Sequence, residues 1–428
     1  MAKRIQQIFN ADDIKQLKNA LLSCCLNNDT DKFNAYLELV GNFEQDWIQK
    51  TYQYFCSNRE ELKQDYTPKS MAKLVAELVY FPEAETVYDG CCGTGALSIA
   101  LWEKNPDLIF YMEELDNNVI PFLLFNCCIR NMECVIINGD ILKEQQYKKY
   151  ILHKGENHSL VQSEEITSFI FPLTDIAVSN PPFSLKLKDE NNPKYLKYGY
   201  IQKGSTESAF IINLLEHTKS YGSCGVILPT GYITTQQTQD KNFRKYLVEN
   251  NLLDSCILCP ADFFESTATC TSILYINKDK QCEDFVLVDA TDICHQWIRK
   301  QNGFAHTANR VYEKTFNMFT DDDINQILYY VTERIYSRYD EKYVILEKDG
   351  FNNNYAYSVG QYLSFDDVID LTGDEKWRSL WEETVGHPLK IKTAYLKKGQ
   401  SIQDALFEAG ALLFGNREAE ERFLKNRG

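Results

Sequence analysis

Apolar residues recur at helical spacing through the first sixty positions of the chain. The clearest face consists of residues three or four positions apart: Ile14, Leu17, Ala20, Leu21 and Cys24. The same spacing continues through the stretch 36–48. The pattern predicts a helical N-terminal unit covering residues 1–64.

From about residue 67, short apolar runs alternate with segments long enough for helices. The predicted strands are Thr86–Asp89, Leu108–Glu114, Val135–Asn138, Asp175–Ser179, Gly225–Leu228, Leu253–Leu258 and Ser272–Ile276. The predicted helices between them are Ala96–Lys104, Val119–Arg130, Ser208–Ser220 and Phe243–Asn250. Alternation of this kind is typical of an α/β fold with a doubly wound, mostly parallel, Rossmann-like sheet. We assign this fold to residues 65–280.

Other parts of the chain depart from this alternation. The stretches 143–174 and 184–206 are expected to be insertions or long loops, which in compact domains are often functional. Beyond residue 280 the alternation fades, although an acidic cap at 321–323 and the stretch 401–424 both indicate helices. We expect residues 281–428 to form a mostly helical C-terminal extension that could bind a partner.

The net charge of the chain is −16. A protein that binds DNA without a partner usually carries a basic surface, so either a local basic patch makes the contact or a partner supplies the affinity.

The sequence shows neither a signal peptide nor an apolar stretch long enough to span a membrane, so we expect a cytoplasmic protein with reduced cysteines. The pair Cys256 and Cys259 lies in an apolar run, where we expect buried thiols and no metal site.

A glycine-rich loop follows the first predicted strand and precedes a helix. Its sequence is Asp-Gly-Cys-Cys-Gly-Thr-Gly from residue 89 to residue 95. The glycines allow a sharp turn and close approach of the backbone to a ligand, and the helix N-terminus offers free N–H groups. An acidic first residue suits an amine or a sulfonium better than a pyrophosphate. The predicted cofactor-binding residues here are Asp89, Gly90, Gly93 and Gly95; an ordinary strand-to-helix turn is the alternative.

Three further segments could bind the same cofactor. Glu114 ends the second strand, where a carboxylate can accept both ribose hydroxyls of an adenosine; Glu113 is its rival, because alternation should turn only one of the pair toward the ligand. Asp140 follows the third strand and could accept from the adenine amine. Thr67 is predicted to cap a helix that has Pro68 in its first turn, and such a cap could hold a carboxylate. Each segment also has a plain structural explanation.

The strongest motif is Asn180-Pro181-Pro182-Phe183, directly after a predicted strand. Two prolines make the segment rigid and remove two backbone donors. The Asn side-chain oxygen and a proline carbonyl can both accept from one NH2 group, which localises the nitrogen lone pair and makes that nitrogen nucleophilic. Phe183 offers a flat face for a flipped-out base. We therefore predict these four residues to be catalytic, and Asn180 also to border the cofactor.

The stretch 184–206 mixes cations with aromatic residues, a combination that suits phosphate contact and base stacking. A solvated flexible loop is the alternative. The predicted nucleic-acid-binding residues are Lys186, Lys188, Lys194, Tyr195, Lys197 and Tyr198.

The motifs follow one another in the order Thr-Pro cap, glycine loop, acidic strand end, Gly-Asp and Asn-Pro-Pro-Phe. These motifs, in this order, resemble those of the N6-adenine group of amino-methyltransferases with gamma-type motif order. The nearest resemblance is to the modification (methylase) subunit of type I restriction–modification systems. Three later segments are similar to the same family: the Leu-Pro strand at 225–231, the stretch 257–276 and the tail at 354–362. The resemblance covers roughly residues 65–363.

This resemblance implies S-adenosylmethionine as cofactor, the N6 amino group of adenine in DNA as the methylated group, and no metal. It also implies a separate specificity subunit, with a restriction subunit as a further candidate partner. Two alternatives stay open from the residues. The same Asn-Pro-Pro-aromatic chemistry serves methyltransferases that act on RNA or on a protein glutamine, and the chain could instead be a cofactor-binding scaffold without catalysis.

Overall fold

The computed structural model describes residues 1–55, 66–183, 185–264, 270–302, 311–334, 342–362, 367–370 and 393–396. The helix predicted at 401–424 lies outside these residues.

Within residues 1–55 the chain forms helices, as the apolar spacing predicts: α1 Ala2–Ile8, α2 Ile14–Asn27, α3 Thr30–Val40 and α4 Trp47–Phe55. The side chain of Asp13 caps α2 by accepting from the Gln16 amide, which satisfies one of the donors left open at a helix start. The inward faces of these helices join the same continuous apolar core as the sheet. The ring of Phe33, for example, lies 5.4 Å from that of Phe125.

The remaining described helices are α5 Lys69–Val79, α6 Ala96–Lys104, α7 Ile120–Ile129, α8 Pro193–Leu196, α9 Glu207–His217, α10 Thr230–Thr234, α11 Thr238–Glu249 and α12 Asp321–Glu333. The strands up to residue 205 are β1 Thr86–Gly90, β2 Ile109–Glu114, β3 Glu133–Asp140, β4 Gln145–His153, β5 Leu160–Glu165, β6 Thr174–Ser179, β7 Lys186–Asp189 and β8 Gln202–Ser205. The later strands are β9 Thr218–Pro229, β10 Leu253–Leu258, β11 Thr271–Asn277, β12 Phe285–Asp289, β13 His295–Asn302, β14 Val311–Met318, β15 Tyr343–Leu346, β16 Asp367–Asp370 and β17 Thr393–Leu396.

Eleven of the described strands form one sheet, in the order β15-β12-β10-β11-β9-β6-β1-β2-β3-β4-β5. The central strands β9, β6, β1, β2 and β3 are parallel, which confirms the predicted α/β sheet. The strand order reverses between β1 and β6, because β2 and β3 follow on one side of β1 and β6 lies on the other. Ligands of open α/β sheets bind in the crevice at such a reversal, outside the carboxyl ends of the strands.

Both stretches expected to be loops contain regular structure. Strand β4 pairs antiparallel with β3, and β5 pairs antiparallel with β4, so both extend the sheet; Tyr150, Leu152 and Val161 are buried against its core. The described segment that follows the Asn-Pro-Pro-Phe motif forms the β7–β8 hairpin, with the one-turn helix α8 between its strands. Polar residues separate the apolar ones in both stretches, so each strand buries little and gives a weak pattern.

The described residues beyond position 280 include more strand than the mostly helical extension we expected. Strand β12 pairs with β10 and β15 pairs with β12, so the main sheet ends later in the chain than position 280. The helix predicted from the acidic run is present as α12, where Thr320 and Asp323 form a reciprocal capping box. Within the described ranges, none of the helices has the length and apolar character needed to cross a membrane.

Gly95 allows the loop after β1 to enter α6. Its φ is +93°, and a Cβ placed there would lie 3.1 Å from a methyl of Leu123 on α7. The matched control is Gly199, which has φ +64° with no atom within 4 Å of such a Cβ.

We expect Gly95→Ala to lower the free energy of unfolding more than Gly199→Ala. Both substitutions place a side chain in the left-handed region, at about 1 to 2 kcal/mol, and only the first adds the contact with Leu123, for about 1 kcal/mol more. Chemical denaturation of both variants measures the difference. Equal losses would show that the loop can move away from Leu123.

Candidate active site

A cavity of about 330 Å³ opens at the carboxyl ends of β1, β2, β3 and β6. Its volume falls in the range of sites for small ligands. The wall includes many residues that the sequence singled out: Thr67, Gly93, Glu114, Asp140, Asn180, Pro181, Pro182, Phe183 and Lys186. The other candidate residues are not part of this wall: Pro68, Asp89, Gly90, Gly95, Lys188, Lys194, Tyr195, Lys197 and Tyr198.

The glycine loop wraps around the end of β2. Cys91, Gly93 and Gly95 have φ angles of +65°, +56° and +93°, so three residues of the loop have positive φ. The amide of Gly93 donates to a carboxylate oxygen of Glu114 at 2.8 Å, and the amide of Cys92 donates to the carbonyl of Glu113 at 3.1 Å. These bonds fix the loop against the acidic strand end.

Asp89 lies beneath the loop rather than in the cavity wall. Its side chain is fully buried, and one oxygen accepts from the Ser98 hydroxyl at 2.6 Å. Among the described residues the other oxygen, Oδ1, has no hydrogen-bond partner. Burial raises the pKa of Asp89 to about 7. In this structure Asp89 therefore joins the loop to α6, and a contact with cofactor stays a prediction.

Glu113 and Glu114 both line the cavity, whereas alternation along the strand led us to expect only one of them there. The second oxygen of Glu114 accepts from the amide of Asp116 at 2.7 Å, and Glu113 accepts from the hydroxyl of Tyr88 at 3.1 Å. Burial raises the pKa of each carboxyl to about 7. An ionised carboxylate has about four acceptor positions, so Glu114 retains capacity for ligand hydroxyls beside its backbone bonds.

Asp140 is fixed at the rim of the cavity by its own turn. One oxygen accepts from the amides of Leu142 and Lys143 at 3.1 and 3.2 Å, and the other pairs with the Lys143 ammonium at 2.9 Å. The apolar side chains of Ile141 and Leu142 belong to the same wall. An apolar surface beside a fixed acceptor suits a purine ring that carries an amino group.

The Asn-Pro-Pro-Phe motif follows the end of β6, where the Ser179 hydroxyl donates to the carbonyl of Gly90 and ties β6 to β1. The Asn180 side chain donates through Nδ2 to the hydroxyl of Thr67 at 2.9 Å. Phe183 is half-buried and meets the ring of Phe264 edge-on at 6.3 Å. The amide, the prolines and the aromatic face thus lie together in one wall.

The predicted helix cap by Thr67 is wrong. Helix α5 begins at Lys69 with Pro68 at the cap position, and the cap makes no side-chain hydrogen bond. The Thr67 hydroxyl instead accepts from Asn180, which lies 113 residues later in the chain. Sequence spacing carried no signal for this contact, because it depends on the tertiary packing of segments that are distant in the chain.

The prediction that Tyr195 and Tyr198 stack on bases is not supported, because both rings are buried, at 2% and 8% exposure. They pack in the apolar cluster that covers α9 and α11. The Lys194 ammonium donates to the side chain of Asn213 at 2.9 Å, and Lys197 pairs with Glu216 at 2.7 Å. These four residues hold the hairpin segment onto the body of the protein.

Lys186 and Lys188, in contrast, are exposed on β7, and Lys186 borders the mouth of the cavity.

The structure also adds a wall residue that sequence reasoning missed. Gln49 of α4 lies in the wall and donates through Nε2 to the carbonyl of Thr67 at 3.2 Å. A glutamine in an amphipathic helix gives no distinguishing signal.

The sequence pattern of the N-6 DNA Methylase family matches residues 44–368. The chain belongs to this family. The match spans the glycine loop, both strand-end acids and the Asn-Pro-Pro-Phe motif that together surround the cavity.

Curated relatives of the chain are similar at low identity. The type I restriction enzyme MpnII methylase subunit of Mycoplasma pneumoniae is 22% identical over 343 residues, covering 73% of this chain and 58% of that protein. The MjaVIII methylase subunit of Methanocaldococcus jannaschii is 24% identical over 407 residues, covering 90% and 62%. The chain therefore spans less than two thirds of the length of these relatives.

A crystal structure of the type I restriction-modification system methyltransferase subunit from Streptococcus thermophilus has the same fold. It aligns with a TM-score of 0.57 at 20% identity, covering 73% of this chain and 63% of that one.

Within the described part of this chain, no group of three or more His, Cys, Asp or Glu residues is placed to hold a metal ion.

We expect Asp89→Asn to change how stability depends on pH. Burial raises the pKa of Asp89 from its ordinary value of 3.8 to about 7, so the folded state binds a proton that the unfolded state loses. Wild-type stability therefore falls as pH rises between these values. The variant avoids that loss, because its amide oxygen can still accept from Ser98.

The measurement is the melting temperature of both proteins from pH 5 to pH 8. The difference, variant minus wild type, should grow up to about pH 7 and then stay constant. The exposed Asp349→Asn variant controls for removing a carboxylate in general. A flat difference over the whole range would show that Asp89 is not held neutral by burial.

Proposed function

We propose that the chain transfers a methyl group from S-adenosylmethionine to the N6 amino group of adenine in DNA. The observation that carries this proposal is the position of Asn180. Its side chain, Pro181 and Phe183 form one wall of a cavity that Glu114 and the glycine loop also line. An amino-group clamp and a site for a cationic nucleoside cofactor therefore share one space.

The side chains around the cavity fit S-adenosylmethionine by their chemistry. Four carboxyl groups line it, from Glu113, Glu114, Asp116 and Asp140. This many acids in a half-closed site favour a ligand with positive charge, such as an ammonium and a sulfonium, over a phosphate. When bound, the cofactor supplies a methyl group on a positively charged sulfur. We propose that Glu114 holds the ribose and Asp140 the adenine.

The protein's own contribution to the reaction is orientation. Asn180 Oδ1 and the Pro181 carbonyl accept the two hydrogens of the target amino group, which localises the lone pair on nitrogen. The prolines keep both acceptors in place, because their φ angles are fixed. Phe183 stacks against the extruded base. By holding that nitrogen in one orientation, these residues would convert an encounter of two molecules into a positioned step, in which the bound cofactor would supply the methyl group.

DNA is the favoured substrate because of the family to which the chain belongs and because of the exposed lysines beside the cavity. The net charge of −16 argues that other chains supply much of the DNA affinity. The relatives named above are methylase subunits of type I restriction enzymes. We propose a separate specificity subunit as partner, with a restriction subunit in a complete system, and residues 281–428 as the region that binds partners.

We expect the purified protein, with its specificity subunit where one is encoded, to form N6-methyladenine in duplex DNA, detected by mass spectrometry of nucleosides. Asn180→Ala should reduce the rate at least about 100-fold, because a preorganised acceptor is lost. Binding of S-adenosylmethionine, measured by calorimetry, should change by less than about threefold, because the variant keeps Glu114 and the glycine loop. The exposed Asn250→Ala is the matched control.

Two outcomes would contradict this proposal. Methylation of RNA or of a protein glutamine, without N6-methyladenine in DNA, would assign the chain to another substrate class. Cofactor binding without methylation of any of the three substrates, even with partner subunits, would favour a non-catalytic scaffold.

We expect Lys186→Ala to weaken DNA binding more than Lys203→Ala. Lys186 is exposed at the mouth of the cavity, whereas Lys203 on the adjacent strand pairs with Glu190 at 3.1 Å. Both variants lose one positive charge, so the difference between their DNA affinities reports the effect of where the lysine lies. Affinity measured against salt concentration should show a slope lower by about 1 for Lys186→Ala alone. Equal slopes would remove Lys186 from the DNA contact.

A further inference from the structure

Thr67 connects the N-terminal helices to the catalytic loop through two hydrogen bonds. Its carbonyl accepts from Gln49 Nε2 of α4 at 3.2 Å, and its hydroxyl accepts from Asn180 Nδ2 at 2.9 Å. Thr67 and Gln49 are 6% and 8% exposed, so water competes little for either bond. Three segments far apart in the chain therefore meet at one threonine.

The backbone of Thr67 is well placed to act as a fixed point. A residue that precedes proline is restricted to extended conformations, and here Pro68 follows with φ −64° at the start of α5. Gln49 donates to the carbonyl of Thr67. The hydroxyl that meets Asn180 is thus carried by a segment with little freedom, and the start of α5 does not use it.

We propose that Thr67 is a positioning residue that orients the Asn180 amide for methyl transfer. This inference rests on the function proposed above. With its NH2 end bonded to Thr67, the Asn180 side chain directs Oδ1 away from Thr67, and Oδ1 is the atom that accepts from the target amine. Rotation of the amide by half a turn would present a donor to that amine, and two donors cannot bond each other.

Gln49 extends this role to the N-terminal helices. A buried amide on α4 supports the Thr67 backbone, so α4 belongs to the shell that positions the catalytic asparagine. Groups that orient a catalytic side chain in this way typically change activity by about 10- to 100-fold when removed. Gln49→Leu should therefore give a smaller loss than removal of the Thr67 hydroxyl, because it acts one bond further away.

The deciding experiment compares Thr67→Val, which keeps the shape and removes the hydroxyl, with Thr67→Ser, which keeps the hydroxyl. We expect Thr67→Val to lower kcat by about 10- to 100-fold and Thr67→Ser to stay within about threefold of wild type. The affinity for S-adenosylmethionine should stay within about twofold in both variants. Thr51→Val is the matched control, because its hydroxyl donates within α4, to the Trp47 carbonyl at 2.6 Å.

A second measurement does not depend on activity. With asparagine labelled by ¹⁵N, the side-chain NH2 signal of Asn180 can be assigned by its loss in Asn180→Ala. Hydrogen exchange of that NH2 group should be slow in wild type and Thr67→Ser and at least about tenfold faster in Thr67→Val, because the bond to the hydroxyl protects it. Melting temperatures of all variants show whether each one folds.

Three outcomes would overturn the inference. Thr67→Val could leave kcat within twofold of wild type, or weaken cofactor binding in proportion to its loss of activity, which would make Thr67 a cofactor contact. Unchanged exchange of the Asn180 NH2 group would show that the bond does not hold the amide. If wild type itself does not methylate DNA, the proposed function fails, and the exchange measurement still decides whether Thr67 orients Asn180.

Discussion

The active site depends on one constraint, the rigid attachment of the Asn-Pro-Pro-Phe segment at the carboxyl end of β6. The prolines fix the backbone, the hydroxyl of Ser179 ties β6 to β1, and Thr67 holds the Asn180 amide from the side. The acceptors for a target amine are therefore in place before a substrate arrives. The orientation-based mechanism that we propose needs this, because its rate depends on how precisely the acceptors are held.

Buried carboxyl groups set the electrostatics of the same site. Asp89, Glu113 and Glu114 each have a pKa raised to about 7 by burial, so their ionised forms are destabilised in the protein without a ligand. Backbone amides of the loop and the β2 turn offset part of this cost at Glu114. A bound cation would offset more, which links the stability of the site to the charge of the cofactor that we propose.

Sequence periodicity was most informative where strands are buried on both faces. The central strands β1, β2, β6 and β10 begin and end within one or two residues of the predictions, because nearly continuous apolar runs leave little choice. The outer strands β4 and β5 and the β7–β8 hairpin were missed, because each buries few apolar residues. Tyr195 and Tyr198 looked available for stacking, but burial in the apolar cluster over α9 and α11 decides their role.

The sequence alone determined the α/β class of the fold and the order of the motifs. It also identified the residues at the ends of the parallel strands, because strand ends, glycine turns and prolines are local features. Only the tertiary structure decided which of these side chains face one cavity. It placed Asp89 beneath the loop, brought Gln49 into the wall and joined Thr67 to Asn180. Such contacts depend on how helices and strands distant in sequence pack together, and no local spacing records that packing.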